Sequence, residues 1–149
     1  MTFVEQLNRD IADAMRAKDQ EKLGPLRMLK TALTLKKVEH GNDVDDRTAQ
    51  QVVSTLVKQR KDSVEQFTAA GRTDLADKER VEITILETYL PPPVAREELE
   101  RVVDEAVTTT GASSPKEMGV VMKAVMAQLA GRNADGKLVN ELVRARLAK

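Results

Sequence analysis

Apolar residues along this chain recur at spacings of three and four, and they do not settle into the strict alternation of a strand. That period belongs to amphipathic helices, so the pattern predicts an all-α protein. Phe3, Leu7, Ile11, Ala14 and Met15 give a first helix one apolar face. Thr2 is placed to cap it, with Glu5 at the capping-box position. Asp19 caps a second helix, in which Pro25 lies early enough to be tolerated, with Gly24-Pro25 offering a later start as the alternative. Leu23, Leu26, Leu29, Leu33, Leu35 and Val38 surround much of that helix and predict a central place in a bundle. His40-Gly41-Asn42-Asp43 ends it, with Gly or Asn supplying a left-handed cap. Asp45 or Asp46 opens a third helix with the seam Val53, Leu56, Val57, Arg60, Val64 and Phe67, running to about Ala70. A fourth starts near Thr73-Asp74, with the stripe Leu75, Glu79, Glu82, Ile83, Leu86 and Leu90.

Pro91-Pro92-Pro93 then breaks the helical pattern, because each proline lacks an N–H and bars the α conformation in the residue before it. The break predicts two pieces, a four-helix bundle-like domain over 1–90 and a three-helix domain over 94–149, joined by a proline hinge. In the second piece Glu97 and Glu98 suit a helix start. Leu99, Val102, Val103, Ala106 and Val107 form its core face, and Thr108-Thr109-Thr110-Gly111 stops it. Ser114-Pro115-Lys116-Glu117 matches a capping box with proline at the first helical position. Met118, Val121, Met122, Val125 and Leu129 follow, with Gly119 among them predicting close helix–helix approach. Gly131-Arg132-Asn133 interrupts the chain, and Asp135 caps a last helix bearing Leu138, Leu142, Val143 and Leu147.

Charges on two of these apolar stripes change the picture. Arg60 sits on the third helix's seam, while Glu79 and Glu82 sit on the fourth helix's stripe. A half-buried guanidinium needs a carboxylate, so Arg60 is expected to pair with Glu82 or Glu79. The pair reads as a structural ion pair fixing helix register rather than a reaction site, since no nucleophile or oxyanion donor accompanies it.

Composition excludes much chemistry. With no cysteine and only His40 among histidines, thiolate chemistry and cysteine zinc sites are excluded, and histidine metal sites and triads nearly so. Asp43, Asp45 and Asp46 lack the Gly and terminal Glu of a calcium loop and read as helix caps in a solvated turn. No phosphate loop, dinucleotide fingerprint or nucleophile elbow is present, so no catalytic residue, metal or cofactor is expected. Phe3, Phe67 and Tyr89 are the only aromatics, too few to hold RNA by stacking. Met1-Thr2-Phe3-Val4-Glu5 has no basic region followed by an apolar stretch, and no apolar run reaches membrane-spanning length. A cytoplasmic protein with no membrane partner is the expectation.

The net charge of zero hides a polarised second piece. From residue 116 onward seven basic residues face three acidic ones, giving +4, whereas residues 96–105 hold five acidic against two basic, giving −3. Lys116, Lys123, Arg132, Lys137, Arg144 and Arg146 are thus candidate phosphate contacts. Gly119 and Gly136 are candidates for close backbone approach. A weaker basic strip, Arg27, Lys30, Thr34 and Lys37, lies on the second helix.

Lys58-Gln59-Arg60-Lys61-Asp62-Ser63-Val64-Glu65-Gln66-Phe67, then Ala70-Gly71-Arg72 and Asp74-Leu75, resemble the YqeY family. So do Glu82-Ile83, Ile85-Leu86, Tyr89-Leu90-Pro91, Met118-Gly119 with Val121-Met122, and Ala134-Asp135-Gly136-Lys137. The ordered series covers essentially the whole chain. The chain departs from the family's Gly-Arg-Ala-Asp turn by one residue, running Gly131-Arg132-Asn133-Ala134-Asp135. The family is related to the tail domain of the B subunit of the glutamine-dependent tRNA amidotransferase. The resemblance implies a helical bundle, a smaller C-terminal three-helix domain, and a grip on the body of a tRNA. It also brings a label, carbon–nitrogen ligation with glutamine as amido-nitrogen donor. That activity resides in a kinase-like portion of the larger enzyme and is not carried over to this chain. The expected function is a non-catalytic accessory module binding tRNA through a basic helical surface, with a protein of the aminoacyl-tRNA pathway as a further partner. The alternative is a helical protein-interaction adaptor with no RNA role.

Overall fold

A computed structural model describes all of Met1–Lys149, and every regular element in it is helical. The helices are α1 (Phe3–Arg16), α2 (Gln20–His40), α3 (Asp46–Ala69), α4 (Thr73–Glu87), α5 (Arg96–Thr110), α6 (Met118–Gln128) and α7 (Gly136–Leu147). The chain divides into two compact units, Met1–Leu90 and Pro91–Lys149.

In the N-terminal unit, local chemistry sets the helix starts. Thr2 and Glu5 complete a reciprocal capping box at α1. Asp19 accepts from the Lys22 N–H at α2, and Asp45 from the Thr48 N–H at α3. Gly24-Pro25 does not delay α2, which begins at Gln20 with Pro25 buried inside it. Gly41 closes α2 in the left-handed conformation (φ 73°), where an L side chain would be strained. α2 packs on α1, α3 and α4, and its Leu26, Leu29 and Leu33 join Leu7, Val53, Val57, Ile83 and Leu86 in one core. Leu35 and Val38 do not belong to that core, being 60% and 75% exposed. α1 has 14 residues and α2 has 21, joined by a short antiparallel turn, so α1 runs out before the last turns of α2. Phe3 and Tyr89 close the lower edge of this core with ring centroids 5.4 Å apart, and the Tyr89 hydroxyl donates to Asp10.

The C-terminal unit has its own core of Leu99, Val103, Ala106, Val121, Val125, Leu129, Val139 and Val143. Gly111 ends α5 at φ 69°, and Asp135 caps α7 by accepting from the Lys137 and Leu138 N–H groups. The Ser114 capping box does not form. Pro115–Glu117 is instead a 3₁₀ turn, and the Glu117 carboxylate accepts from the Ser113 N–H at 3.3 Å. Gly119 is exposed, and a Cβ added there would meet nothing within 4 Å, so it serves no close helix–helix approach. Asn133, in the α6–α7 turn, has a structural task. Its side-chain amide donates to the Pro91 carbonyl at 3.1 Å, and its own carbonyl accepts from the Val94 N–H at 2.8 Å. The turn thereby holds the segment leading into α5.

Candidate nucleic-acid interface

The six cations singled out in the C-terminal unit fall into two groups. Arg132 and Arg146 are drawn onto the acidic α5. Both terminal nitrogens of Arg132 donate to Glu98, at 2.9 and 3.2 Å, and Arg101 donates to the same carboxylate at 3.0 Å. The Arg132 bonds, then those of Arg101, hold the Glu98 carboxyl down to about 2. Glu98 in turn pushes the Arg132 guanidinium up. Arg146 donates to Asp104 at 3.0 Å. These arginines offset two of the three excess negative charges of α5 before any partner arrives.

Lys116, Lys123 and Arg144 are exposed and make no ion pair within the unit. Lys123 follows Lys116 by seven residues, and Arg144 follows Lys137 by seven. Seven residues are nearly two helical turns, so Lys137 and Arg144 share a face of α7, whereas Lys116 lies in the 3₁₀ turn ahead of α6 and is not on one helix with Lys123. Lys137 is also exposed, but it is not free of partners. Gly119 and Gly136 are exposed with open space around them, so the backbone at each is accessible from outside.

In the N-terminal unit, Arg60 is 6% exposed at the floor of a cleft of about 400 Å³ between α3 and α4. Its Nε donates to Glu82 Oε2 at 3.2 Å, and its Nη1 donates to the Leu56 carbonyl at 3.1 Å. Its Nη2 meets the Met28 sulfur at 3.2 Å. Glu79 lines the same cleft without reaching the guanidinium. Along α2, Arg27, Lys30, Thr31, Thr34 and Leu35 border a shallow groove, while Lys37 pairs with Asp43 at 2.9 Å. The acidic trio has no ligand geometry, since Asp45 caps α3 and Asp46 accepts from the Phe3 N–H at 3.2 Å. No helix is long and apolar enough to cross a membrane.

Spacing along the chain gave no sign of the Glu98–Arg132, Met28–Arg60 and Asp10–Tyr89 contacts. Their partners lie 34, 32 and 79 residues apart on faces whose rotation only the packed helices define.

Residues 4–147 match the family described as Yqey-like protein. The chain is also similar to curated yeast proteins named Altered inheritance of mitochondria protein 41, mitochondrial. With that of Lachancea thermotolerans it is 36% identical over 115 residues, covering 75% of this chain and 62% of the relative. With that of Kluyveromyces lactis it is 31% identical over 135 residues, covering 89% and 71%. With that of Saccharomyces cerevisiae it is 31% identical over 133 residues, covering 85% and 69%. The chain thus spans between 62% and 71% of these relatives' lengths. Their names correct the expectation of a cytoplasmic location, since they call the relatives mitochondrial. The missing leader pattern in Met1–Glu5 carries no information about compartment.

Proposed function

The chain belongs to the Yqey-like protein family, and on that premise we propose that it is a non-catalytic module that docks on folded tRNA through its C-terminal unit. The observation that supports this reading is the division among its late cations. Lys116, Lys123 and Arg144 remain exposed without ion pairs, and the +4 charge of residues 116–149 stands against the −3 of residues 96–105. Unpaired cations on helix faces neutralise phosphates and release counterions without reading base sequence. Folded RNA is recognised by shape and backbone, which suits a surface without aromatics. The resemblance of the family to the tail domain of the tRNA amidotransferase B subunit supports the same partner. In this reading Lys116, Lys123 and Arg144 touch phosphate, and Arg132 and Arg146 hold α5 in place.

Fluorescence anisotropy with folded tRNA tests the assignment. Lys123→Ala and Arg144→Ala should each weaken binding severalfold without loss of helicity, whereas Arg146→Ala should leave affinity near wild type. Equal loss from all three, or none from any, would contradict it. An adaptor role finds less support. Val120 and Met126 are the exposed large apolar residues of α6, and a separation of six residues puts them on different faces.

A further inference from the structure

The α3–α4 cleft has a feature that helix packing does not require. The Nε/Nη2 edge of a guanidinium is a fork suited to both oxygens of one carboxylate. In Arg60 one prong of that fork rests on Glu82 Oε2 and the other on the Met28 sulfur. A thioether is a weak acceptor. Met28 is also 52% exposed and unbranched, so its side chain can swing aside at small cost. Lys78 and Glu79 line the cleft beside Arg60, and neither makes an ion pair. Phe67 and Leu75 add a half-buried apolar wall. The cleft therefore offers an under-satisfied guanidinium prong, an unpaired ammonium, an unpaired carboxylate and an apolar surface.

We propose that this cleft binds a free α-amino acid with an apolar side chain. The ligand carboxylate takes the place of the Met28 sulfur at Arg60 Nη2, with Lys78 alongside. The ligand ammonium faces Glu79, and its side chain lies on Phe67 and Leu75. A phosphate dianion is a poorer match because Glu79 and Glu82 share the cleft and like charges repel at this range. A peptide terminus offers only one of the two charges. A volume of about 400 Å³ sits at the small end of ligand pockets, in keeping with one amino acid. This site lies in the N-terminal unit and does not depend on the RNA reading.

The test is a nuclear magnetic resonance titration of the full chain with L-phenylalanine, 3-phenylpropionate and phenethylamine, following the Met28 methyl and the Arg60 side-chain N–H signals. L-Phenylalanine should give saturable shifts with Kd of about 1 mM or tighter. The two analogues, each lacking one charge, should bind about tenfold more weakly. Two variants that spare the buried arginine sharpen the result. Met28→Leu keeps the volume and removes the competing sulfur, so L-phenylalanine should bind about threefold more tightly. Glu79→Gln should weaken L-phenylalanine, which loses the partner of its ammonium, and strengthen 3-phenylpropionate, which is freed of a like charge, so that the gap between the two closes. The proposal fails if L-phenylalanine gives no saturable shift, if phenethylamine binds equally well, or if Met28→Leu weakens binding.

Discussion

Arg60 and Glu82 show what one misplaced partner would cost this fold. Their side chains are 7% and 19% exposed, so removing either strands a charge that water cannot reach freely. Glu82→Ala should destabilise the N-terminal unit by about 3 kcal/mol, read from denaturant midpoints, because breaking a buried pair leaves its partner uncompensated. The paired change Arg60→Met with Glu82→Met should cost much less. Equal losses would mean that packing, not charge, dominates the site. Tyr89 gives a second check, since it is the only tyrosine and tyrosinate absorbance therefore reports it alone. Burial first, and then the hydrogen bond to Asp10, push its phenol well above the ordinary tyrosine range. Its alkaline titration should begin late, and Asp10→Asn should move it back toward the usual value. An ordinary midpoint in the wild type would remove that contact. The Arg60–Glu82 contact follows from periodicity, which sets an arginine on one apolar seam and a carboxylate on the facing stripe. The role of Met28 does not follow, because nothing in helical spacing marks a half-exposed methionine as an acceptor.

At the scale of elements, starts and stops follow from short-range chemistry. Thr2, Asp19, Asp45 and Asp135 each accept a backbone N–H within three residues, and Gly41 and Gly111 supply the left-handed stops. These interactions are local, so the sequence reveals them. Asp135→Ala should cost about 1 kcal/mol in the thermal unfolding of the C-terminal unit, and Asp135→Asn much less. Periodicity misleads where a neighbour decides. Leu35 and Val38 have core chemistry but outrun α1, and Ser114 loses its box to a 3₁₀ turn in which Glu117 serves Ser113. Asn133 fits as a turn residue from composition, yet its clasp on Pro91 and Val94 joins positions about 40 residues apart. The α5 clamp carries a pH dependence. The folded Glu98 carboxyl titrates at about 2 against an ordinary 4.5, so its stabilisation is full above the unfolded value. It is lost as pH falls from about 4.5 toward 2. Acid unfolding of the C-terminal unit should therefore steepen in that window and flatten in Glu98→Gln. An unchanged acid profile would show that the clamp does not stabilise the unit.

For the molecule as a whole, neutrality is the misleading number. Equal counts of acidic and basic residues suggest no pull on a polyanion, yet the sign changes between α5 and the segment after it. Sequence alone displays that polarity, but it cannot sort the cations. Arg132 and Arg146 look like the rest until packing brings Glu98 and Asp104 to them. Of the candidate phosphate contacts, Lys116, Lys123 and Arg144 remain unpaired for a partner, a small set that implies modest affinity and a defined salt response. Counterion release makes that response countable, since each phosphate neutralised contributes nearly one to the slope of log affinity against log salt. The decisive measurement is that slope for folded tRNA, taken on the full chain and on the Lys123→Ala/Arg144→Ala double variant. Docking through these cations predicts a slope of about −3 in the wild type and a loss of about 2 in the variant. Affinity that is absent at low salt, indifferent to salt, or equally steep in both proteins would contradict it.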